Sequence, residues 1–263
     1  MSVQKPFLPP ATPLKPRLRG LIIGASSGMG AALARRLARE GYTLALIARR
    51  ADLLDSLCKE INQAYEETRV LSYAHDVSNY DDVPDLLRRI VSDLGGLDTV
   101  IFAAGVNYPP IPAKDNFDTD RQMLEVNLIG AFAWLNPIAD MFQSAGRGQI
   151  VGISSVAGDR GRVGNAGYNT SKAGLTTYLE ALRNRLTRHG VNVLTIKPGF
   201  VQTEMLKAAV GPTPFAIPVE KAANDIYKAM RARKQQIYTP WFWKWIMLII
   251  RNIPSVIFRK MNF

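Results

Sequence analysis

Short apolar runs alternate with longer amphipathic segments along most of this chain. Six largely apolar runs have the length of buried strands, and they fall at positions 19–23, 43–48, 69–74, 98–103, 149–154 and 191–196. Because these runs are mostly continuous rather than alternating in polarity, both faces of the predicted sheet must be covered.

The segments between the runs predict helices. We expect them at 29–40, at 53–67, from a cap at Ser78 or Asn79 to Leu94, at 117–142 with Pro137 as a candidate bend, and at 167–189. Gly41 and Gly190 are suitable helix stops. A regular alternation of strands and helices predicts an α/β fold, namely a single doubly wound Rossmann-type parallel sheet with helices on both faces, spanning residues 18–240.

Composition is ordinary for a globular protein of 263 residues, but the charge is unevenly placed. The net charge is +11, and both ends contribute cations without an acid: Lys5, Lys15, Arg17 and Arg19 at the start, and Lys244, Arg251, Arg259 and Lys260 at the end. We therefore expect an anionic surface near the ends rather than a basic catalytic cleft. No nucleic-acid-binding signature is present, and we expect no nucleic-acid partner.

The remaining composition narrows the class of protein further. Cys58 is the one cysteine, so an internal disulfide is excluded, and His75 and His189 show no metal-ligand spacing, so we expect no metal. The five prolines within residues 1–17 predict an extended arm. This arm lacks the apolar run of a signal peptide, and we expect a cytoplasmic protein.

A glycine-rich turn joins the first predicted strand to the first helix, and it reads Gly24-Ala25-Ser26-Ser27-Gly28-Met29-Gly30. Such a turn lets backbone N–H groups approach phosphates at a helix N-terminus. The alternative is that the glycines only permit tight packing of strand on helix. The second strand follows at the distance expected for a dinucleotide site.

Two arginines, Arg49 and Arg50, end that second strand, where an NAD site usually carries an acid. A carboxylate repels a 2′-phosphate, whereas arginine can bind one, so this position favours NADP(H). The alternative is a pair of solvated arginines that open a helix. Asp76 follows the third strand, where it suits either an adenine amine or a helix cap.

Tyr168 and Lys172 lie four residues apart on a predicted helix and therefore share one face. An ammonium beside a phenol is expected to lower the phenol pKa and yield a proton donor and acceptor near neutral pH. Taken alone, the pair reads more simply as a solvated helical pair. Ser155, thirteen residues upstream, and the glycine turn favour the catalytic interpretation.

In combination these motifs resemble the short-chain dehydrogenase/reductase family over about residues 18–205. The glycine turn, Asp76-Val77, Asn127, Ser155, Tyr168 with Lys172, and Pro198-Gly199 followed by Thr203 occur in the family's order. The resemblance implies hydride transfer between NADP(H) and a carbonyl or alcohol, with Tyr168 as general acid or base, assisted by Lys172, Ser155 and Asn127. It implies cofactor contacts from Gly24, Ser26, Ser27, Gly28, Met29, Gly30, Arg49, Arg50, Asp76, Val77, Ala104, Gly105, Asn127, Tyr168, Lys172, Pro198, Gly199, Val201 and Thr203.

The chain departs from the family pattern at two places. Ile23 stands where the family often has threonine, and Ala103 where it often has asparagine. The second change removes a side-chain amide that would tie neighbouring strands together. Neither change removes a proton-transfer group, so we expect them to affect local rigidity rather than activity.

The last 23 residues, 241–263, begin with an aromatic and apolar run from Trp241 to Ile250 that is too short to span a bilayer. Its cations suit a membrane interface, whereas the competing interpretation is a tail packed over the substrate pocket or a partner subunit. We expect residues 207–218 to form a mobile loop over the pocket. Wide apolar faces at 131–135 and 175–182 indicate a homodimer or homotetramer, as the family resemblance also implies.

Three functions remain open from the sequence. The leading hypothesis is an NADPH-dependent carbonyl reductase for an apolar or lipid-like substrate. The alternatives are a non-catalytic NADP(H)-binding protein and a membrane-attached interaction protein. Specificity is expected to depend on the segment after Thr203 and on Val106, Tyr108, Ala157 and Phe200.

Overall fold

A computed structural model describes residues 18–108, 116–207 and 213–261. Within them a seven-stranded, entirely parallel sheet forms the centre of the molecule. Its strands are β1 (Arg19–Ile23), β2 (Thr43–Ala48), β3 (Val70–Ala74), β4 (Thr99–Phe102), β5 (Gly148–Ile153), β6 (Val191–Pro198) and β9 (Gln236–Thr239), in the spatial order 3-2-1-4-5-6-9. A separate short pair joins β7 (Val201–Gln202) to β8 (Ile217–Pro218).

Helices cover both faces of the sheet. They are α1 (Gly28–Arg39), α2 (Ala51–Tyr65), α3 (Val83–Asp93), α4 (Phe117–Leu124), α5 (Gly130–Ala145), α6 (Ala166–Leu186), α7 (Glu204–Lys207), α8 (Val219–Arg231), α9 (Trp243–Asn252) and α10 (Ser255–Phe258). The doubly wound Rossmann-type fold is confirmed. The proline-rich arm predicted for residues 1–17 and most of the predicted loop over the pocket lie outside the described residues.

Alternation along the strands divides the core between the two faces. Leu21 and Ile23 of β1 join the cluster beneath α3, α5 and α6, whereas Ile22 between them joins the cluster beneath α1, α2 and α8. All three side chains are fully buried. Successive strand residues point to opposite faces, so a continuous apolar run is what a sheet covered on both sides requires.

The order of the strands reverses between β1 and β4, because β2 and β3 extend the sheet to one side and β4, β5 and β6 to the other. Parallel strands direct their carboxyl ends to one edge, and the reversal leaves a crevice there. The glycine turn follows β1 at this edge, and the segment beginning at Ala103 follows β4. This crevice positions the candidate site.

The helix predicted over 117–142 is interrupted, although not at the expected place. Pro137 lies within α5, while the irregularity falls at Glu125–Ile129, which forms a π-helical turn between α4 and α5. Single π-helical turns inside helices often occur at functional sites because they re-aim a side chain. Asn127 lies in the middle of this turn.

Two further details differ from the sequence expectations. Neither Ser78 nor Asn79 caps a helix through its side chain, since a short 3₁₀ turn at Tyr80–Asp82 precedes α3. The strand β9, paired with β6, was not predicted at all. Its four residues, Gln-Ile-Tyr-Thr, lack the continuous apolar run that marks the other strands.

Candidate active site

The glycine turn after β1 has no room for side chains at two positions. Gly24 adopts a φ of +91°, and a Cβ atom there would lie 2.5 Å from the Cα of Ala104. A Cβ on Gly30 would lie 3.0 Å from the Cα of Ala25 and still closer to the Gly24 carbonyl. The glycines therefore permit tight packing of strand on helix, and the turn also places the N-terminus of α1 at the crevice.

Backbone bonds hold the turn and its neighbour in place. The N–H groups of Gly24 and Ala25 both donate to the Ile47 carbonyl, at 2.8 and 3.0 Å. The Ala103 N–H donates to the Ile23 carbonyl at 2.8 Å. The backbone thus joins β4 to β1 at the position where the family's asparagine is missing.

The two arginines after β2 reach the residues around the turn. Arg50 donates to Ser27 Oγ at 2.6 Å and to Ser26 Oγ at 3.2 Å, and it pairs with Glu204 at 3.3 Å. These contacts show that Arg50, although half exposed, is oriented toward the mouth of the crevice rather than simply solvated. A cleft of about 860 Å³ opens beside it, lined by Ser27 and Gly28 at the start of α1 and extending between α1, α2 and α8.

Asp76 lies beside the first arginine and accepts bonds from the N–H and hydroxyl of Ser78, at 3.0 and 2.6 Å. Arg49 pairs with the same carboxylate at 3.4 Å. Burial opposes ionisation, but the Ser78 bonds and the Arg49 charge outweigh it and lower the pKa of Asp76. Asp76 is therefore an ionised acceptor at the rim. Val77 beside it is buried and packs against Gly130.

Asn127 is fully buried and has every polar atom of its side chain bonded. Its Oδ1 accepts from the Val106 N–H at 2.7 Å, and its Nδ2 donates to the Val106 carbonyl at 2.9 Å and to Ser171 Oγ at 3.0 Å. Asn127 thereby ties the segment after β4 to α6. A Cβ on Gly105 would lie 3.3 Å from both Asn127 Oδ1 and Lys172 Nζ, which shows how near the two side chains approach.

The amine of Lys172 is enclosed by protein, with 4% of the residue exposed. Nζ donates to the Ile153 carbonyl at 3.0 Å and lies 5.8 Å from the centre of the Tyr168 ring. Ser155 lies beside Tyr168, and its Oγ accepts from the Ala157 N–H at 3.1 Å. The structure therefore brings the predicted serine, tyrosine and lysine close together.

The electrostatics of this group differ from the sequence expectation. Burial raises the pKa of Tyr168, and it outweighs the Ser155 hydrogen bond and the nearby Arg162 charge, both of which lower it. The expected lowering of the phenol pKa by the Lys172 ammonium is therefore wrong for this structure. Burial instead lowers the pKa of Lys172 itself to about 8, because desolvation disfavours its charged form.

Asn165 orients Tyr168 and was missed by the sequence reasoning. As the N-cap of α6, its Oδ1 accepts from the Tyr168 N–H at 3.0 Å, while its Nδ2 donates to Asn107 Oδ1 and to the Tyr108 carbonyl. An asparagine directly before a helix is a recognisable N-cap signal. That signal was available in the sequence.

The segment after β6 closes the crevice on its other side. Pro198 ends β6, the Gly199 N–H donates to the Thr239 carbonyl at 3.0 Å, and Thr203 packs 3.4 Å from a Cβ built on Gly28. Val201 is buried in the β7–β8 pair. The predicted segment thus lies beside the glycine turn.

The C-terminal segment packs against residues that follow Ser155 and Gly199 in the chain. Trp243 and Met247 on the inner face of α9 are buried with Val156, which follows Ser155, and with Phe200, which follows Gly199. Rings of Phe200 and Trp243 meet edge to face at 5.6 Å. The inner face of α9 therefore lies close to the candidate site.

Arg160, between Ser155 and Tyr168, fixes this segment in place. Its Nη1 donates to the Ile250 and Ile253 carbonyls at 2.5 and 2.7 Å, and its guanidinium carbon lies 3.7 Å from the centre of the Phe258 ring. The Ile250 carbonyl lies in the last turn of α9 and Ile253 is its C-cap residue, so Arg160 binds the end of the helix, where carbonyls lack the usual intrahelical donors. Sequence reasoning missed this contact, since it joins residues about ninety positions apart.

In the part of the chain that the structure covers, no helix has both the length and the apolar character to cross a membrane. Among the same residues, no three histidine, cysteine or acidic side chains lie close enough to hold a metal ion.

A family model described as short chain dehydrogenase matches residues 20–212. Together with the fold and the crevice, this match identifies the chain as an oxidoreductase belonging to the short-chain dehydrogenase/reductase family.

Similar proteins cover most of the chain. An uncharacterized oxidoreductase of Mycobacterium tuberculosis is 32% identical over 234 residues, spanning 89% of this chain and 92% of that protein. An uncharacterized oxidoreductase of Myxococcus xanthus is 34% identical over 221 residues, spanning 84% and 87%. The structure of an actinorhodin polyketide ketoreductase variant with NADPH has a TM-score of 0.76 and 25% identity, covering 84% of this chain and 95% of that one.

Proposed function

We propose that this protein is an NADP(H)-dependent carbonyl reductase that uses Tyr168 as its general acid. The observation that carries the proposal is the convergence of Ser155, Tyr168 and Lys172 at the crevice beside the glycine turn. A non-catalytic binding protein would have no need of a buried lysine beside a partly buried tyrosine, since burying a lysine amine is costly.

The residues around the crevice fit a dinucleotide. The N-terminus of α1 offers free N–H groups to a pyrophosphate where Gly24 and Gly30 leave no side chain in the way. Arg50, bonded to Ser26 and Ser27, is placed to bind a 2′-phosphate, and Arg49 neutralises Asp76 beside it. The NADPH in the similar polyketide ketoreductase supports the same preference.

Each catalytic side chain has a distinct role in the proposed reduction. A nicotinamide cofactor held in the crevice would supply the hydride. Ser155 holds the substrate carbonyl oxygen by a hydrogen bond, and Tyr168 donates its phenolic proton to that oxygen as it becomes an alkoxide. The raised pKa of Tyr168 keeps the phenol protonated at neutral pH, which suits a donor.

The lysine and the asparagine support the proton donor. Lys172, with a pKa of about 8, can return a proton toward Tyr168 after turnover. Asn127 fixes the backbone next to that amine, and we expect a water relay to join Lys172 to solvent there. We expect an apolar substrate body, because Val156, next to Ser155, packs with Phe200 and Trp243 in an apolar cluster.

Substitution of Tyr168 tests this function directly. Tyr168→Phe should bind NADPH as the wild type does and lose on the order of 10²- to 10⁴-fold in kcat for NADPH oxidation with a ketone panel. Tyr178→Phe, on the same helix but bonded to exposed Asn136, is the matched control and should keep its activity. Full turnover by Tyr168→Phe would defeat the assignment.

We also propose a cytoplasmic protein that contacts anionic membranes through the outer face of its C-terminal segment. Trp245 and Ile249 on that face are 54% and 68% exposed, and Trp241, Leu248, Val256 and Ile257 are exposed with them. Lys244 and Arg251 are exposed and flank the apolar stripe of α9. Apolar side chains bordered by cations are the pattern of a helix that lies in a membrane interface.

Self-association completes the proposal. Most of the apolar positions predicted for a dimer interface are core residues, including Trp134, Leu135, Leu175 and Leu179, which are fully buried. Phe132 and Tyr178 remain partly exposed, with their rings 4.2 Å apart on the outside of α5 and α6. We expect a homodimer or homotetramer through that surface.

A further inference from the structure

Arg162 is a half-buried cation in the loop between Ser155 and Tyr168. Its Nη2 lies 3.4 Å from the Val156 carbonyl and 3.9 Å from the Met247 sulfur, and its Nε is buried without a hydrogen-bond partner among the described residues. Guanidinium groups stay charged in proteins, and buried charges are normally paired. Packing alone therefore does not explain why a charged side chain occupies this position.

The acid that attracts Arg162 is already paired with another cation. Asp159 is buried, and its carboxylate accepts from Lys197 at 2.5 Å and from the Tyr238 hydroxyl at 2.8 Å. In the described part of the chain, no carboxylate forms an ion pair with Arg162, although Asp159 attracts it from further away. One positive charge in this buried group is consequently left without a partner.

Arg162 also lies close to the proposed chemistry. Its charge interacts with Tyr168, it contacts Val156 next to Ser155, and it contacts Met247 on the inner face of α9. It therefore lies on the α9 side of the reacting hydroxyls. Asp120 of α4 packs against Gly167 at the start of α6.

We propose that Arg162 binds an anionic group of the substrate, a carboxylate carried on the same molecule as the reacting carbonyl. The inference rests on the proposed reductase function and narrows its substrate class to oxo acids with an apolar body. A guanidinium matches a carboxylate with two parallel hydrogen bonds, and partial burial strengthens the attraction by reducing screening. The apolar wall of Val156 and Met247 would pack against the substrate body beside this charge.

A competing role is electrostatic. Arg162 could act only on Tyr168 by favouring its phenolate, without touching substrate. Such a role would affect every ketone alike and would appear in kcat and in its pH profile. A carboxylate-binding role would appear in KM, and only for substrates that carry the anion.

The test compares oxo acids with their own methyl esters. NADPH oxidation is measured for a series in which one to four carbons separate the ketone from the carboxylate, using wild type, Arg162→Lys and Arg162→Met. We expect the wild type to prefer at least one acid over its ester. Arg162→Met should raise KM for that acid on the order of 10- to 100-fold and change KM for the ester less than about threefold. Arg162→Lys should restore part of the lost affinity for the acid.

Arg160→Met is the matched control, since Arg160 lies two residues away but binds α9 carbonyls. It should affect acid and ester equally. A measurement on the wild type alone gives a second test. The carboxylic acid of the same length that lacks the ketone should inhibit reduction of the ester competitively, and the corresponding amide should not.

The inference is overturned if wild type reduces the esters and shows no preference for any acid, or if Arg162→Met reduces turnover of acid and ester equally. Failure of the carboxylate to compete would also overturn it. Absence of any turnover in wild type is a different result, which rejects the reductase function itself.

Discussion

Trp243 lies against Gly199 so closely that no side chain fits between them. A Cβ atom built on Gly199 would lie 2.5 Å from Trp243 Cδ1, and other atoms of the indole would be closer still. Gly199 directly follows Pro198, the last residue of β6, and Trp243 is the first residue of α9. The contact therefore fixes α9 relative to the edge of the sheet that carries the crevice.

Gly199→Ala should consequently displace α9. We expect a loss of about 1–3 kcal/mol in the free energy of unfolding, because the added methyl group overpacks a buried contact. NADPH oxidation should fall as well, since Val156 and Phe200 lose their partner. Urea unfolding and initial rates measure both effects. Gly164→Ala is the control, since nothing lies within 4 Å of a Cβ at that position, and it should change neither stability nor activity. If Gly199→Ala also leaves stability and activity unchanged, α9 is only loosely held.

The sequence was sufficient for the sheet but not for the tail. β1 and β2 match their predicted bounds, because continuous apolar runs mark buried parallel strands. The segment 241–250 is apolar on nearly all sides, so its sequence cannot tell which face packs. Only the contacts of Trp243 with Gly199, and of Arg160 with the end of α9, decide the matter.

Motif spacing also identified the residues of the crevice, but not their electrostatics. The pattern of Ser155, Tyr168 and Lys172 predicted their proximity, since an i, i+4 pair shares a helix face. The direction of the Tyr168 pKa shift depends on how deeply the phenol is buried, which spacing does not contain. Arg162 was missed for a similar reason: a loop arginine becomes notable only when no carboxylate is found beside it.

Asn127 should be a large contributor to stability. Asn127→Leu keeps the approximate volume but removes three hydrogen bonds and leaves the Val106 N–H and carbonyl without partners. We expect a loss of about 2–4 kcal/mol in the free energy of unfolding. Asn136→Leu, at an exposed position on α5, should cost less than about 1 kcal/mol. Equal costs for the two variants would contradict the structural role of Asn127.

The buried amine of Lys172 should make stability depend on pH in the alkaline range. Its folded pKa of about 8 lies below the ordinary value, so the unfolded chain binds more protons between that pH and about 10.4. Stability contributed by this group therefore rises with pH through that window. Below it, the charged amine costs on the order of 3 kcal/mol.

Lys172→Met isolates this contribution. The variant should be as stable as wild type or more stable at pH 7, because an apolar side chain replaces a buried charge. The stability of the variant relative to wild type should fall between pH 8 and 10, which urea unfolding at each pH would measure. Lys228→Met, at an exposed position on α8, should show no such trend. An advantage that stays constant with pH would mean that the amine is not desolvated.

Arg50 should determine the cofactor preference. Arg50→Gln removes the cation that reaches Ser26 and Ser27 and should weaken NADPH binding on the order of 10- to 100-fold. NADH binding should change less than about threefold, since it lacks the 2′-phosphate. Fluorescence titration with both nucleotides measures the ratio. Equal weakening of the two would assign Arg50 to the loop structure and not to phosphate recognition.

The outer face of α9 should bind membranes without contributing to the crevice. Truncation at Pro240 would remove Trp243 and Met247 from the active-site wall, so point substitutions are the better probe. Trp245→Gln with Ile249→Gln should weaken co-sedimentation with vesicles rich in anionic lipid and leave activity toward a water-soluble ketone unchanged. Val163→Gln, which alters an exposed valine in the loop before α6, should not change sedimentation.

Charge and apolar contact are separable in the same assay. Lys244→Gln with Arg251→Gln should weaken binding to anionic vesicles, each lysine or arginine contributing about 1 kcal/mol, and should have little effect with neutral lipid. Added salt should weaken binding of the wild type, because exposed charges are screened.

If the outer-face variants instead change the oligomeric state in analytical ultracentrifugation and leave vesicle binding intact, the exposed stripe joins two copies of the chain. A bilayer is favoured over that outcome because a self-complementary contact would bring Lys244 and Arg251 of two copies together, and the described part of the segment after Pro240 contains no acid to offset their repulsion.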